Sequence, residues 1–251
     1  MNQLSKKQMQ QEAEYNFPYH YLDLISEEER WLQGIEYMNH LEIVKNLLKP
    51  YNGQLILDAG CGDGRFCYEL KKENVRVVGV DLSKRAIDFA KAFNPDVEFF
   101  VQDMGHLHLP YKFDYVVLKE TLEHFVPEKI PTILQNLSSV LKKEGKLIIT
   151  VPSVNKPLPK KHYQHFTKEG LSSTLEPHFR IVNLFGYSRM GYKRSVFTNL
   201  RRVGILLYPF RNKTKIVKKF FVFINNYYKQ NLAVGDHDKC LGLIAVCEKT
   251  R

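Results

Sequence analysis

Residues 55–66 read LILDAGCGDGRF, an apolar run that leads into a loop with glycine at every second position, Gly60, Gly62 and Gly64. Glycine adopts positive φ at little cost, and it leaves no side chain between the backbone and a ligand. In an open parallel sheet, ligands bind beyond the carboxyl ends of the strands, which is where a loop following a strand lies. The stretch therefore predicts a buried strand, a ligand-binding turn and the start of a helix.

Strand and helix patterns alternate on either side of this loop. The segments between the predicted strands have apolar residues at helical spacing, with Ser83 placed to cap the second helix and Gly145 to end the third. Repeated strand–helix units favour a parallel sheet with right-handed crossovers. The predicted strands are 54–60, 75–81, 97–103, 113–120, 146–152, 179–187 and 240–249, of which the last two form an antiparallel closing pair.

This pattern predicts an α/β, Rossmann-like, doubly wound sheet that is mostly parallel. We expect an N-terminal helical segment over residues 1–50, with aromatic residues before its helix. The main domain is predicted over 51–188 and 236–251, with a basic amphipathic helical insertion at 189–235.

An acidic residue at the end of the second strand narrows the choice of ligand. Asp81 follows the glycine loop by about 20 residues, where a carboxylate can accept hydrogen bonds from both ribose hydroxyls. The dinucleotide pattern G-x-G-x-x-G would place its third glycine at position 65, which is Arg65 in this chain. A nucleoside-containing ligand is therefore expected, and NAD fits poorly.

DAGCGDG (58–64) followed by GVDLS (79–83) resembles the class I methyltransferases that use S-adenosyl-L-methionine. The resemblance extends from Leu55 to Pro152 and implies a methyltransferase with that cofactor. It also implies that the N-terminal helical segment, residues 1–50, forms a lid over the cofactor, lined by Tyr15, Tyr19 and Tyr21. By the same resemblance, VQDM (101–104) recognises adenine, and LKETLEHF (118–125) lines the methionine end and the reaction centre. The implied cofactor-binding residues are Asp58, Gly60, Cys61, Gly62, Gly64, Asp81, Leu82, Asp103, Met104 and Lys119.

Methyl transfer to a hydroxyl needs alignment of donor and acceptor and removal of a proton. Histidine suits the second task near neutral pH. The candidate catalytic bases are His124, in LEHF, and His162 and His165, in KHYQHFT. A purely structural role for each histidine is the alternative.

A second alternative uses some of these residues as metal ligands. Glu120, Glu123 and His124 form E-x-x-E-H, and with His165 they would offer oxygen and nitrogen ligands to a divalent cation. That pattern resembles the small-RNA 3′-end 2′-O-methyltransferases. Similar V-L-E-H sequences also occur in metal-free methyltransferases, so the main interpretation contains no metal.

Positive charge is concentrated in one segment. The chain has a formal net charge of +10, and no acidic residue lies between Pro177 and Gly235. Residues 189–230 combine Lys and Arg with two amphipathic stretches, which is typical of attachment to an anionic membrane surface. A helical cap packed on the domain is the second interpretation, and a nucleic-acid surface is the third and less favoured one.

These observations predict an S-adenosylmethionine-dependent methyltransferase, with O-methylation of a small molecule or saccharide, including a lipid-linked one, as the main interpretation. A metal-assisted RNA 2′-O-methyltransferase and a catalytically silent binding protein are the alternatives. No signal-peptide pattern, no membrane-length apolar run and no C-x-x-C pair occur, which predicts a cytoplasmic protein with reduced cysteines, peripheral at the inner membrane face if 189–230 binds lipid.

Overall fold

The computed structural model describes residues 6–21, 30–49, 52–210 and 213–250. Within these residues the strands form one sheet in the order β3-β2-β1-β4-β5-β8-β6-β7. The strands β1 to β5 run parallel, and β8 pairs antiparallel with both β5 and β6. The strands are β1 Leu55–Ala59, β2 Arg76–Asp81, β3 Glu98–Val101, β4 Phe113–Lys119, β5 Leu141–Pro152, β6 Phe179–Arg189, β7 Val234–Gly235 and β8 Cys240–Lys249.

Helices cover both faces of this sheet, so the predicted Rossmann-like class with an antiparallel closing pair is confirmed. Two of the helices begin at capping side chains. Ser83 Oγ, the predicted cap of α4, accepts a hydrogen bond from Ala86 N at 3.0 Å, and Thr167 Oγ1, before α6, accepts one from Gly170 N at 3.0 Å. The helices are α1 Lys6–Glu14, α2 Arg30–Leu48, α3 Arg65–Leu70, α4 Lys84–Phe93, α5 Ile130–Val140, α6 Lys168–Leu175, α7 Tyr192–Leu207 and α8 Lys215–Asn231.

The predicted end of the third crossover helix at Gly145 is wrong. Helix α5 ends at Val140, and Gly145 lies within β5. A Cβ at this glycine would lie 2.9 Å from both Leu141 Cδ2 and the Phe113 carbonyl oxygen, next to an irregularity in the β4–β5 register. The glycine is therefore needed for close approach of two strands and does not act as a helix stop.

The two sides of the sheet bury alternate residues of the central strands. Val116 and Leu118 pack into the cluster that contains α5 and α6, whereas Val117 packs into the cluster with α2, α3 and α4. Leu41 and Val44 of α2 belong to that second cluster. Helix α2 is therefore part of the sheet's covering layer, whereas Tyr15 and His20 of the segment 6–21 contact the glycine loop directly.

Helices α7 and α8 form a hairpin against α2. The ring centroids of Phe197, near the start of α7, and Tyr228, near the end of α8, are 5.1 Å apart. Those of Tyr208, just after α7, and Phe221, in the first half of α8, are 6.0 Å apart, so the two helices are antiparallel. Arg194 and Lys229 join the hairpin to α2 through ion pairs with Glu36 and Glu42, each at 2.7 Å. None of the described helices combines the length and apolarity needed to cross a bilayer.

Candidate functional site

The glycine loop follows β1 at the carboxyl edge of the sheet. Gly60, Gly62 and Gly64 have φ of +77°, +56° and +79°, the left-handed region that disfavours other residues. A Cβ at Gly60 would lie 2.5 Å from the Thr121 side chain, and one at Gly62 would lie 2.7 Å from the Tyr15 hydroxyl. Both the turn and the space above it therefore require glycine.

Asp81 links this loop to the end of β2. Its Oδ2 accepts a hydrogen bond from Gly62 N at 2.9 Å, and its Oδ1 accepts one from Ser83 N at 2.8 Å. Burial raises the pKa of Asp81 despite these two hydrogen bonds. The carboxylate therefore holds the glycine loop while it also faces the adjoining cavity.

A cavity of about 380 Å³ opens beside the loop, beneath the N-terminal segment. Its wall combines the loop, the ends of β2 and β4, and the segment after β5. Of the residues predicted to bind the cofactor or act as bases, those that line it are Gly60, Cys61, Gly62, Asp81, Lys119, His124 and His162. The predicted lid residues Tyr15 and Tyr19 also line it, whereas Tyr21 does not.

Other predicted cofactor residues do not line this cavity in the described part of the chain, namely Asp58, Gly64, Leu82, Asp103 and Met104. Asp58 lies below the loop, where Cys67 Sγ donates to its Oδ2 at 3.3 Å and burial raises its pKa to about 6. Asp103 Oδ1 accepts from Gly105 N at 2.8 Å and caps a single 3₁₀ turn beyond β3. Because β3 is the neighbour of β2, Asp103 and Met104 extend the same sheet edge outward from Asp81.

The N-terminal segment is clasped to the glycine loop by contacts that the sequence did not reveal. His20 Nδ1 lies 2.9 Å from Oδ1 of the fully buried Asp63, and His20 N donates to Oδ2 at 3.2 Å. Tyr21 stacks on Phe93 at 4.1 Å, and its hydroxyl accepts from Asn94 at 2.9 Å. The only available signals were the acidic residue inside DAGCGDG and the aromatic cluster FPYHY.

A second cavity, of about 290 Å³, adjoins the first. Glu120 stands where the two meet; its backbone has φ of +49°, and its Oε1 accepts from the Tyr187 hydroxyl at 2.6 Å. Lys156 Nζ lies 3.8 Å from the other carboxylate oxygen of Glu120. The residues shared by both cavities are His20, Tyr37, Lys119, Glu120 and Lys156.

The far wall of the second cavity comes from elements distant in sequence. Glu36 and His40 belong to α2, Ser188 to β6 and Tyr228 to α8. The His40 ring stacks on Tyr187 at 4.2 Å. Sequence reasoning missed these residues because no motif contains them, and only the packing of α2 and the hairpin brings them together.

The three predicted histidines lie in one row. The His124 and His162 ring centroids are 4.6 Å apart, and His162 Nδ1 lies 2.8 Å from His165 Nε2. His165 Nδ1 lies 3.0 Å from the Lys156 carbonyl oxygen. Burial lowers the pKa of His124 to about 4 and that of His162 to about 3, and it also lowers the pKa of His165.

These contacts determine the protonation of the neutral rings. The Lys156 carbonyl can only accept, so the proton of His165 is on Nδ1 and its Nε2 is an acceptor. His162 must then donate from Nδ1 to that acceptor. The Nε2 of His162 consequently carries a lone pair. His162 lines the first cavity, and His165 is not among the residues that line it.

The metal-ligand set suggested by sequence is not the set that the fold brings together. Glu123, His124 and His162 each offer a ligand atom, and these atoms lie within 4.8 Å of one another. Glu120 turns toward Tyr187, and His165 binds His162. Glu123 is buried, its Oε2 has no hydrogen-bond partner among the described residues, and burial raises its pKa well above the usual value.

Known proteins match part of this chain. A family model described as a methyltransferase domain matches residues 51–200. Phosphoethanolamine N-methyltransferase 1 of Arabidopsis thaliana is 32% identical over 146 residues, which are 55% of this chain and 29% of that protein. Magnesium-protoporphyrin O-methyltransferase of Rhodobacter capsulatus is 35% identical over 100 residues, 38% of this chain and 44% of that protein. The chain spans less than half the length of these relatives.

Solved structures share the whole fold at low identity. N-methyltransferase NodS from Bradyrhizobium japonicum WM9, in complex with S-adenosyl-L-homocysteine, has a TM-score of 0.62 at 14% identity, covering 98% of this chain and 100% of that one. A TehB-like SAM-dependent methyltransferase from Corynebacterium glutamicum has a TM-score of 0.61 at 16% identity, covering 96% and 100%. Since the family model covers more than half of the sequence, the chain belongs to the class I S-adenosylmethionine-dependent methyltransferases, whose methyl donor is S-adenosyl-L-methionine.

Proposed function

We propose that this protein transfers a methyl group from S-adenosylmethionine to a hydroxyl oxygen of a small, polar acceptor. The observation that carries the proposal is the junction of the two cavities at the end of β4. The first cavity adjoins the glycine loop and Asp81, as a nucleoside-containing donor requires, and the second offers separate space for an acceptor.

The residues of the first cavity fit the donor. The glycine loop presents bare backbone to the cavity, because a Cβ at Gly60 or Gly62 would collide with neighbouring side chains. Asp81 offers acceptor oxygens at the end of the adjacent strand. Asp103 and Met104 follow β3 further along the same edge, where we place the adenine. Lys119, whose Nζ lies 5.1 Å from the Tyr37 ring centroid, stands at the opposite end, near the junction.

When bound, S-adenosylmethionine supplies an electrophilic methyl group, which the acceptor oxygen takes as the carbon–sulfur bond breaks. The protein's main task is to align the acceptor with this group. His162 Nε2 accepts the hydroxyl proton, with His124 as the alternative base in the same wall. The low pKa keeps His162 unprotonated at neutral pH, and a weak base suffices because the hydroxyl becomes strongly acidic as its oxygen binds carbon.

The second cavity supports a hydroxylated acceptor such as a saccharide. Glu36 and Glu120 offer carboxylate oxygens, and Tyr187 and Tyr228 offer aromatic surface and hydroxyls. Such walls suit a compact molecule with several hydroxyl groups, including the head of a lipid-linked acceptor. The relatives include both N- and O-methyltransferases, so the proposal that an oxygen accepts the methyl group rests on the lining of the second cavity alone.

The cluster of Glu123, His124 and His162 favours one second candidate, a metal-assisted 2′-O-methyltransferase of RNA. That enzyme would need bound divalent metal and would bind RNA with steep salt dependence. A catalytically silent protein would bind the donor without turnover.

The cellular location that we propose is the cytoplasm. Cys61, Cys67, Cys240 and Cys247 are all buried free thiols, which are typical of reducing compartments.

Titration calorimetry with S-adenosylhomocysteine and NAD, followed by an acceptor screen with radiolabelled methyl donor, tests the proposal. We expect S-adenosylhomocysteine to bind, NAD not to bind, and label to enter hydroxylated acceptors. Label in amines alone would refute O-methylation, and donor binding without transfer to any acceptor would favour the silent protein.

A further inference from the structure

The α7–α8 hairpin has an apolar inner side and a second apolar region outside. Phe197, Phe221 and Ile224 are buried in a cluster that includes Ile35 of α2. Leu206 and Ile216, in contrast, are 76% and 80% exposed, and Phe210 is 48% exposed. A cap packed on the domain accounts for the inner side and leaves the outer residues without a role.

The outer apolar residues cluster at one end of the hairpin. Leu206 lies in the last turn of α7, Phe210 in the connection, and Ile216 in the first turn of α8. Because the helices are antiparallel, the end of α7 and the start of α8 lie side by side. We call residues 203–210 and 213–219 the hairpin tip.

Positive charge surrounds these apolar side chains. Arg202, Lys213, Lys215, Lys218 and Lys219 are all exposed at or beside the hairpin tip. The sequence from 192 to 231 contains no aspartate or glutamate. The hairpin tip therefore presents aliphatic and aromatic side chains within a field of one sign.

This combination favours one kind of partner. A second copy of the chain would place two acid-free basic surfaces against each other, which like-charge repulsion opposes. Nucleic acid would satisfy the cations, but exposed Leu206 and Ile216 gain nothing from phosphates and cannot stack on bases. A bilayer with anionic lipid satisfies both, since its headgroups attract the cations and its acyl boundary receives the apolar side chains.

We propose that the hairpin tip docks onto the surface of a bilayer that contains anionic phospholipid. Leu206, Phe210 and Ile216 enter the boundary between headgroups and acyl chains, and the surrounding lysines and arginines contact the headgroup phosphates. Tyr228, which lines the second cavity, lies about 18 Å along α8 from Ile216 at about 1.5 Å per residue. Docking therefore leaves the cavities clear, and this inference does not depend on the proposed function.

The test is co-sedimentation of the full chain with vesicles of phosphatidylcholine alone and of phosphatidylcholine with phosphatidylglycerol, at low and high salt. We expect binding to the anionic vesicles, weakened by salt, and little binding to the neutral ones. Replacing three cations with K215Q, K218Q and K219Q should weaken binding on the order of 100-fold, at about 1 kcal/mol for each charge.

A second variant separates the apolar contribution from charge. L206S with I216S should weaken binding to anionic vesicles by roughly tenfold or more without changing net charge. The matched controls replace exposed residues of the main domain by the same amino acids: K91Q, K143Q and K168Q for charge, and V154S with V182S for apolar surface. The controls should bind like the native chain, and unchanged binding of S-adenosylhomocysteine should verify folding of every variant.

Three results would overturn the proposal: equal binding to neutral and anionic vesicles, no binding to either, or equal losses in the hairpin-tip variants and their controls. Salt-sensitive binding to RNA without vesicle binding would assign the surface to nucleic acid. A concentration-dependent dimer abolished by L206S with I216S, again without vesicle binding, would assign it to a second copy.

Discussion

His162 Nδ1 lies 2.8 Å from His165 Nε2, and this contact sets which nitrogen of His162 is free to accept a proton. The order of donation starts at the Lys156 carbonyl, which accepts from His165 Nδ1 at 3.0 Å. In the proposed mechanism His165 is thus a positioning residue, and His162 is the one of this pair that lines the first cavity.

Changing His165 should reveal that role. H165F removes the acceptor for His162 Nδ1 and should lower kcat by about 10- to 100-fold, because the wrong His162 tautomer becomes accessible. H165Q retains one acceptor and one donor and should recover most of the activity. H162A should cost about 10² to 10⁴ in kcat, with little change in cofactor affinity.

Steady-state kinetics and S-adenosylhomocysteine titrations on these three variants and on H124A provide the measurement. A structural role alone would make H165F and H165Q lose activity together with melting temperature, and normal turnover in H162A and H124A would refute a histidine base.

Acid should destabilise the fold through the same residues. The pKa values of His124 and His162 fall from 6.5 to about 4 and about 3 because burial penalises the charged ring. Below pH 6.5 these two rings bind protons in the unfolded chain but stay neutral in the folded chain, so the free energy of unfolding declines as pH falls toward 4. Asp58, with its pKa raised to about 6, acts in the opposite sense between about pH 4 and 6.

Comparison of the native chain with a variant that lacks both histidines separates their contribution to the pH dependence of stability from that of Asp58. We expect the free energy of unfolding of H124Q with H162Q, measured by urea denaturation, to depend less on pH between 4 and 6.5 than that of the native chain. Parallel curves for the two proteins would show that neither ring is held neutral by burial.

Much of the sheet could be predicted because its strands are apolar runs that end at turn residues. LILDA and RVVGVD are buried strands whose neighbours in sequence are also their neighbours in the sheet. Gly145 was misread because glycine ends helices and also permits close strand contact, and sequence alone does not distinguish the two uses.

The two cavities differ in how far sequence could describe them. The loop and Asp81 lie within one strand–loop–helix–strand unit, so spacing alone predicted that they would lie at the same edge of the sheet. Glu36, His40 and Tyr228 come from α2 and α8, and their positions depend on how the hairpin packs against α2. Long-range packing of this kind has no local sequence signal.

Removing the carboxylate of Asp81 should weaken the binding of S-adenosylhomocysteine. In the proposed donor site, D81A removes the acceptor of the ribose hydroxyls, and it also releases Gly62 N; the expected cost in binding free energy is about 1.5–3 kcal/mol. Titration calorimetry measures the loss, and D96A, at an exposed carboxylate outside the cavity, is the control. Native affinity in D81A would remove this residue from the site.

Metal removal distinguishes the two candidate enzymes. Dialysis against a chelator should leave methyl transfer unchanged if His162 acts as a base. Elemental analysis before and after dialysis should accompany the assay. Loss of activity with loss of a stoichiometric divalent ion, restored by adding that ion, would instead assign Glu123, His124 and His162 to a metal centre.

The clasp between His20 and Asp63 should slow cofactor release. H20A leaves the fully buried Asp63 carboxylate without its imidazole partner, and losing the partner of a buried polar group costs about 1–3 kcal/mol. The substitution should therefore weaken the docking of the segment that carries Tyr15 and Tyr19 over the cavity. We therefore expect S-adenosylhomocysteine to dissociate roughly tenfold or more faster, as measured by stopped-flow displacement. F17A changes an exposed side chain of the same segment and should dissociate at the native rate. Equal rates in H20A and the native protein would mean that the clasp is structural and that the cofactor leaves by a route that does not require this segment to move.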